Sequence, residues 1–177
     1  MMKKWRLKLK MLPKIFGLIC VLVLSACSND PGTGPKDVRW DRDACERCRM
    51  VLSDPHFAAQ VRYFPKDKRS KVLKFDDIGC AVLWLKGKSW ETDNKTEIWV
   101  ADYRSGEWLD ARTATYVSRK VTPMEYGLGA QAEPIASGLN YEQAITHIED
   151  IEKRFNIHGL QLQQRLQEQS LQRENIR

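Results

Sequence analysis

Three sulfur side chains crowd one short stretch, Cys45-Glu46-Arg47-Cys48-Arg49-Met50. Soft sulfur donors select soft cations, Cu(I) above all, while two thiols alone also hold zinc or close a disulfide. The residues leave three readings open. In the first, Cys48 and Met50 bind Cu(I) with help from Cys45, and Arg47 and Arg49 favour the thiolate form. That pairing needs a bent backbone between Cys48 and Met50, because an extended one holds the two side chains apart. In the second, Cys45 and Cys48 are the Cys-x-x-Cys of a thiol–disulfide oxidoreductase. The preceding Trp40-Asp41-Arg42-Asp43 lacks the strand such a motif normally follows. In the third, Cys45, Cys48, Cys80 and His56 complete a zinc tetrahedron, which leaves Met50 without a role. Taken alone, Cys80 reads as a small buried hydrophobe on a helix.

The compartment bears on the choice. The chain has 177 residues, a formal net charge of +6 and five cysteines. Six of its 29 basic residues precede residue 15, and no acidic residue occurs before Asp30. Without residues 1–26 the chain is neutral, so the basic excess belongs to the leader and gives no support to a nucleic-acid partner. The leader itself reads as an export signal. A basic segment precedes the apolar run Ile15 to Leu24, which is too short for a comfortable membrane span. Leu24-Ser25-Ala26-Cys27 then resembles the cleavage box of bacterial lipoproteins, which makes Cys27 the lipidation site and Cys20 part of the discarded leader. Ser28 after that cysteine points to the outer rather than the inner membrane. Only Cys45, Cys48 and Cys80 remain, so at least one thiol has no partner for a disulfide within the chain.

The elements that must position these sulfurs follow from pattern. Residues 27–39 read as lipid anchor and flexible tether, since Pro and Gly dominate residues 31–35 and offer no core side chain. The spacing predicts strands over 57–64 and 72–75 joined by a polar turn. A helix from Ile78 to about Leu85 follows, capped by Asp76 or Asp77 and stopped at Gly87. Further strands are expected over 97–103, 107–110 and 113–117. Residues 121–136 read as irregular. Asn140 caps a second helix from Tyr141 to about Phe155, with Ala144, Ile145, Ile148, Ile151 and Phe155 on its apolar face. The glutamine-rich tail, 157–177, reads as frayed helix or disorder. Strands followed by a helix in each half give an α+β chain with a domain at 40–156, divided into lobes at about 40–95 and 96–156. No glycine-rich phosphate loop, HExxH or serine–carboxylate constellation occurs, so nothing supports a hydrolase or a nucleotide enzyme.

Several blocks then resemble the NosL family of nitrous oxide reductase accessory lipoproteins. These are Cys45-Glu-Arg-Cys48-Arg-Met50-Val-Leu, Phe57-Ala-Ala-Gln60, Lys74-Phe-Asp-Asp-Ile-Gly-Cys80, Trp99-Val-Ala-Asp-Tyr103, Gly106-Glu-Trp-Leu-Asp-Ala111, Ala114-Thr-Tyr-Val117 and Pro123-Met124, in the family's order between Asp43 and about Ile151. The resemblance implies two small, similar ββαβ-type lobes, related to the organomercurial lyase MerB. It implies a copper chaperone rather than an enzyme. The chaperone is anchored by lipid on Cys27, faces the periplasm, and carries Cu(I) to a client copper enzyme, nitrous oxide reductase by default, together with that client's membrane maturation proteins. It shifts weight toward Cys48 and Met50 as the metal-binding pair. Cys45 is then a less regular ligand, and Met124 is an additional soft donor from the second lobe.

Overall fold

The computed structural model describes residues 30–155 and 164–165. The segment read as a leader, Cys27 with its expected lipidation, and nearly all of the tail lie outside the described residues. The core begins with β1 (Ala59–Tyr63), whose residues alternate small apolar, polar, apolar, polar, aromatic. Alternation sends the two sets to opposite faces of a sheet. β1 pairs antiparallel with β2 (Lys71–Phe75) on one side and with β3 (Glu97–Ala101) on the other. β4 (Trp108–Asp110) pairs with β3 and completes a four-stranded sheet in the order β2-β1-β3-β4.

The register puts Ala59 beside Phe75 and Val100, and Val61 beside Leu73 and Ile98. Ala59, Val61, Phe75, Ile98 and Val100 are buried and share this apolar face. They pack in one core with α1 (Ile78–Leu85), whose Ile78, Ala81, Val82 and Leu85 are also buried. The Asp77 side chain caps α1 by accepting from the Gly79 N–H at 2.7 Å. Gly87, at φ +73°, supplies the left-handed turn after the helix.

The opposite face of β1 carries Gln60 and Arg62, and both are buried. Buried polar groups need partners, and residues 32–37 provide them. Lys36 exchanges two hydrogen bonds with the Gln60 amide, at 2.8 and 2.7 Å. Arg62 Nε donates to the Gly34 carbonyl at 2.8 Å, and the Gly34 N–H donates to Glu97 at 2.7 Å. Lys74 Nζ reaches the Asp37 carbonyl. The expectation of a flexible tether through residue 39 therefore fails for residues 32–37. Their backbone, joined by the Thr33 hydroxyl on Glu97 at 2.6 Å, binds the sheet, so their Pro and Gly content did not betray the contact.

Two differences mark the second half. Glu97–Ala101, read from sequence as the start of a second lobe, instead extends the first sheet, because Ile98 and Val100 continue its apolar face. β1, β2, α1 and β3 thus form one ββαβ unit. Within the region read as irregular lies a strand, β6 (Gly129–Gln131), which pairs with β5 (Thr115–Val117). Gly-Ala-Gln carries no strand propensity, and this strand is set by pairing and by complete burial. A bridge between Asp102 and Ala130 joins the ribbon to the end of β3. Helix α2 spans 141–155. Asn140 and Gln143 cap it reciprocally, each side chain accepting from the other's backbone N–H at 2.9 Å. Ala144 and Ile148 are buried, whereas Phe155 is exposed. From Gly32 on, the described residues belong to one compact unit, and none of their helices is long and apolar enough to cross a membrane.

Candidate metal centre

The Cys45–Met50 stretch is a closed loop. An isolated bridge joins Ala44 to Val51, and the Cys45 N–H donates to the Met50 carbonyl at 2.8 Å. The Arg49 N–H donates back to the Cys45 carbonyl at 3.0 Å. Arg49 sits at φ +66°, in the left-handed region. This is the bend between Cys48 and Met50 that a shared site requires. The Glu46 N–H donates to the Lys74 carbonyl at 2.9 Å, which fastens the loop to the end of β2. The chain then leaves β2 through Asp76 and Asp77 into α1, and Cys80 lies on the first turn of that helix.

This path brings three sulfurs together. The Sγ atoms of Cys45, Cys48 and Cys80 all lie within 4.8 Å of one another. All three are free thiols. Cys45 and Cys80 are 0% exposed, and Cys48 is half-buried and forms the outer side. The Cys48 thiol donates to Asp76 Oδ2 at 3.2 Å, and the Cys48 N–H points at the Cys45 sulfur at 3.5 Å. The neighbouring Asp77 accepts from the Gly79 N–H at 2.7 Å and so caps the helix. Of the adjacent carboxylates at this helix end, Asp76 holds Cys48 and Asp77 holds the first turn of α1.

Proton affinity is unevenly shared within the cluster. Cys45 is drawn down to about 4, first by the hydrogen bond from Cys80, against the cost of burial, and then by backbone N–H groups of Cys48 and Asp76. Cys48 is pushed up to about 12, chiefly by desolvation. Cys80 is raised far above a free thiol, because it donates to Cys45 and is buried beside it. These protons belong to the trio as a whole: the first leaves easily, and the other two leave only when something positive replaces them. A thiophilic cation does that.

The residues singled out from sequence are distributed unevenly. Cys45 and Cys48 are in the cluster. Met50, two residues after Cys48, is 53% exposed. Met124 is half-buried against the core. His56 is not a member of the cluster; it pairs with Asp54 at 3.3 Å on the surface, so a zinc tetrahedron closed by His56 does not form. Cys80 is indeed buried, as a small helical hydrophobe would be, and is also the third thiol. Spacing could not show this, because the residue returns to the loop only through the β2–α1 turn. Asp76 is more than a cap candidate, since it holds Cys48. Asp102 and Asp110 each accept a backbone N–H two residues on, at 2.8 Å, as expected for strand-end aspartates.

Three thiols in a mostly buried pocket form a soft donor set that fits copper, and Cu(I) better than a hard cation. A family model described as NosL matches residues 39–136, which include all three thiols, Met50 and Met124. No curated protein and no solved structure is found to match the chain.

Proposed function

The chain belongs to the NosL family of copper-binding periplasmic accessory lipoproteins, and on that premise we propose that it is a lipid-anchored carrier of Cu(I). Copper here is cargo, and the chain catalyses no reaction. The observation that carries this reading is the cluster of Cys45, Cys48 and Cys80, with every Sγ within 4.8 Å of the others. Cu(I) favours few, soft ligands, and a carrier has to release it by stepwise ligand exchange. The exposed side of the site suits that exchange. Cys48 is half-buried and Met50 is exposed beside it, so a recipient's ligands meet these two sulfurs first. Cys45 and Cys80 hold the ion from within, and Met124 is the thioether offered by the neighbouring loop.

The remaining features follow the family. Cys27 carries the lipid, the domain faces the periplasm, and the outer membrane is its site of attachment. The client is a copper enzyme, nitrous oxide reductase by resemblance, reached together with its membrane maturation proteins. We read the ββαβ unit β1–β2–α1–β3 as one lobe, and the β5–β6 ribbon with α2 as its smaller counterpart.

Competition for Cu(I) against a chromophoric chelator, on reduced protein handled anaerobically, tests the reading. One equivalent should bind, and Cys48→Ser or Cys45→Ser should weaken it by at least about tenfold, the loss of one soft ligand. Unchanged affinity in both variants would sink the assignment. Zinc in the protein as isolated, or a stable redox-active disulfide with no copper uptake, would point instead to a zinc-stabilised module or a thiol–disulfide oxidoreductase.

A further inference from the structure

The turn between β1 and β2 carries charge that the metal centre does not use. It reads Lys66-Asp67-Lys68-Arg69-Ser70-Lys71, and all of these but Ser70 are exposed. Among the described residues, none of its charged side chains has a hydrogen-bond or ion-pair partner. Other exposed cations do pair, as Arg39 does with Asp43, Arg49 with Glu46 and Lys86 with Glu149. Without residues 1–26 the chain is neutral, so this turn is a local positive field rather than a share of a general excess. The strap arrives at the same place. The Ser70 hydroxyl donates to the Gly32 carbonyl at 3.4 Å, and Arg62 donates to Ser70 Oγ at 2.7 Å while its Nε holds Gly34. Only residues 28–31 separate Gly32 from Cys27, at most about 18 Å of fully extended chain.

An anchor on so short a lead confines the turn to the neighbourhood of the headgroups. Confinement raises its effective concentration there, and an anionic surface attracts each nearby cation. Resting on the lipid-anchor reading above, we propose that residues 66–71 are a second membrane contact: the turn docks on anionic phospholipid headgroups and orients the domain. The orientation bears on the thiols. β2 starts at Lys71, beside the turn, and the loop of residues 45–50 is fastened to the Lys74 carbonyl towards its other end. About 10 Å of strand lies between Lys71 and Lys74. The docked turn therefore holds Cys48 and Met50 off the bilayer and leaves them open to a recipient.

Co-sedimentation with vesicles tests the turn by itself. The chain used is residues 27–177 with Cys27→Ser, which carries no lipid and contains every described residue. Vesicles of phosphatidylcholine mixed with phosphatidylglycerol should bind it, and vesicles of phosphatidylcholine alone should not. Lys66→Gln, Lys68→Gln and Arg69→Gln should each lower the partition about fivefold, the scale of one cation at a charged surface, and the triple variant should abolish it. Salt at about 0.5 M should abolish it too, by screening. Lys95→Gln, Lys153→Gln and Arg154→Gln together remove as much charge elsewhere and should leave binding unchanged. All these side chains are exposed, and circular dichroism checks that each variant has folded. An equal loss in the control, equal binding to both kinds of vesicle, or binding that survives salt overturns the proposal. Retention on polyglutamate with no preference among vesicles overturns it as well, and makes the turn's partner an acidic protein. The mass of the Cys27 peptide in the isolated lipoprotein reads the anchor separately. A Cys27 without diacylglycerol refutes the anchor reading and the placement built on it, whereas a missing vesicle preference refutes the turn alone.

Discussion

Gly79→Ala is the substitution that probes the fold and the centre together. A Cβ at residue 79 would sit 2.2, 2.5 and 2.6 Å from three atoms of the Tyr126 ring. Comfortable carbon contacts are about 3.5–4.0 Å, so the ring would have to retreat by roughly 1.3 Å or more. It has little room to do so, because Tyr126 is buried and its hydroxyl is held by Arg47 and Glu152. Overpacking of this kind costs about 1–3 kcal/mol. Loss of the hydroxyl's hydrogen bonds to charged partners adds about 1–2 kcal/mol. Alanine's helix preference over glycine returns at most about 1 kcal/mol. The net destabilisation is about 2–3 kcal/mol, a fall in Tm of about 10 °C for a domain of this size. Urea unfolding of the reduced protein, followed by tryptophan fluorescence, reads it directly. The decisive arm is the double variant. In a Tyr126→Ala background the obstacle is gone, and Gly79→Ala should be neutral or mildly stabilising. A Gly79→Ala protein as stable as the wild type, or an equal loss in both backgrounds, would refute the contact.

Three other outcomes are expected. Burial pushes Asp77 up to about 6; a carboxyl whose folded pKa is raised contributes stability below the unfolded value, near 4, that is lost as pH rises through about 6. Asp77→Asn keeps the cap acceptor, so the stability difference between variant and wild type should shift in the variant's favour by about 3 kcal/mol over that interval, measured by urea unfolding at a series of pH values; a flat difference contradicts it. Asn140→Ala removes the reciprocal cap of α2 and should cost about 1 kcal/mol by thermal denaturation. A domain starting at residue 40, without the strap on Gln60 and Arg62, should be about 2–4 kcal/mol less stable than one starting at residue 31, whereas equal stability would mean that residues 32–37 do not hold the sheet.

Much of the fold is legible where side chains carry the signal. The β1 strand, the cap at Asp77 (one of the two aspartates offered), the Gly87 stop and the Asn140 cap are local, and each stands where pattern places it. What escapes is carried by backbone or by distance. The strap binds mostly through its own carbonyls and N–H groups, and the readable sign was on the other side, where Gln60 and Arg62 are buried on an apolar strand. β6 has no strand-forming residue to announce it. In the site, Cys45 and Cys48 are evident from spacing. Cys80 needs the β2–α1 turn to bring it back, and Glu152 meets Arg47 from a helix beyond the family segment. The resemblance places the weight on Cys48 and Met50, whereas the structure gathers Cys45, Cys48 and Cys80, with every Sγ within 4.8 Å of the others.

The most direct test of the centre is copper K-edge X-ray absorption on reduced protein loaded with one equivalent of Cu(I). The expected result is a first shell of sulfur, three atoms strong, that loses one scatterer in Cys80→Ser. A first shell dominated by nitrogen or oxygen, or one that Cys80→Ser leaves unchanged, would contradict a copper site built on Cys45, Cys48 and Cys80.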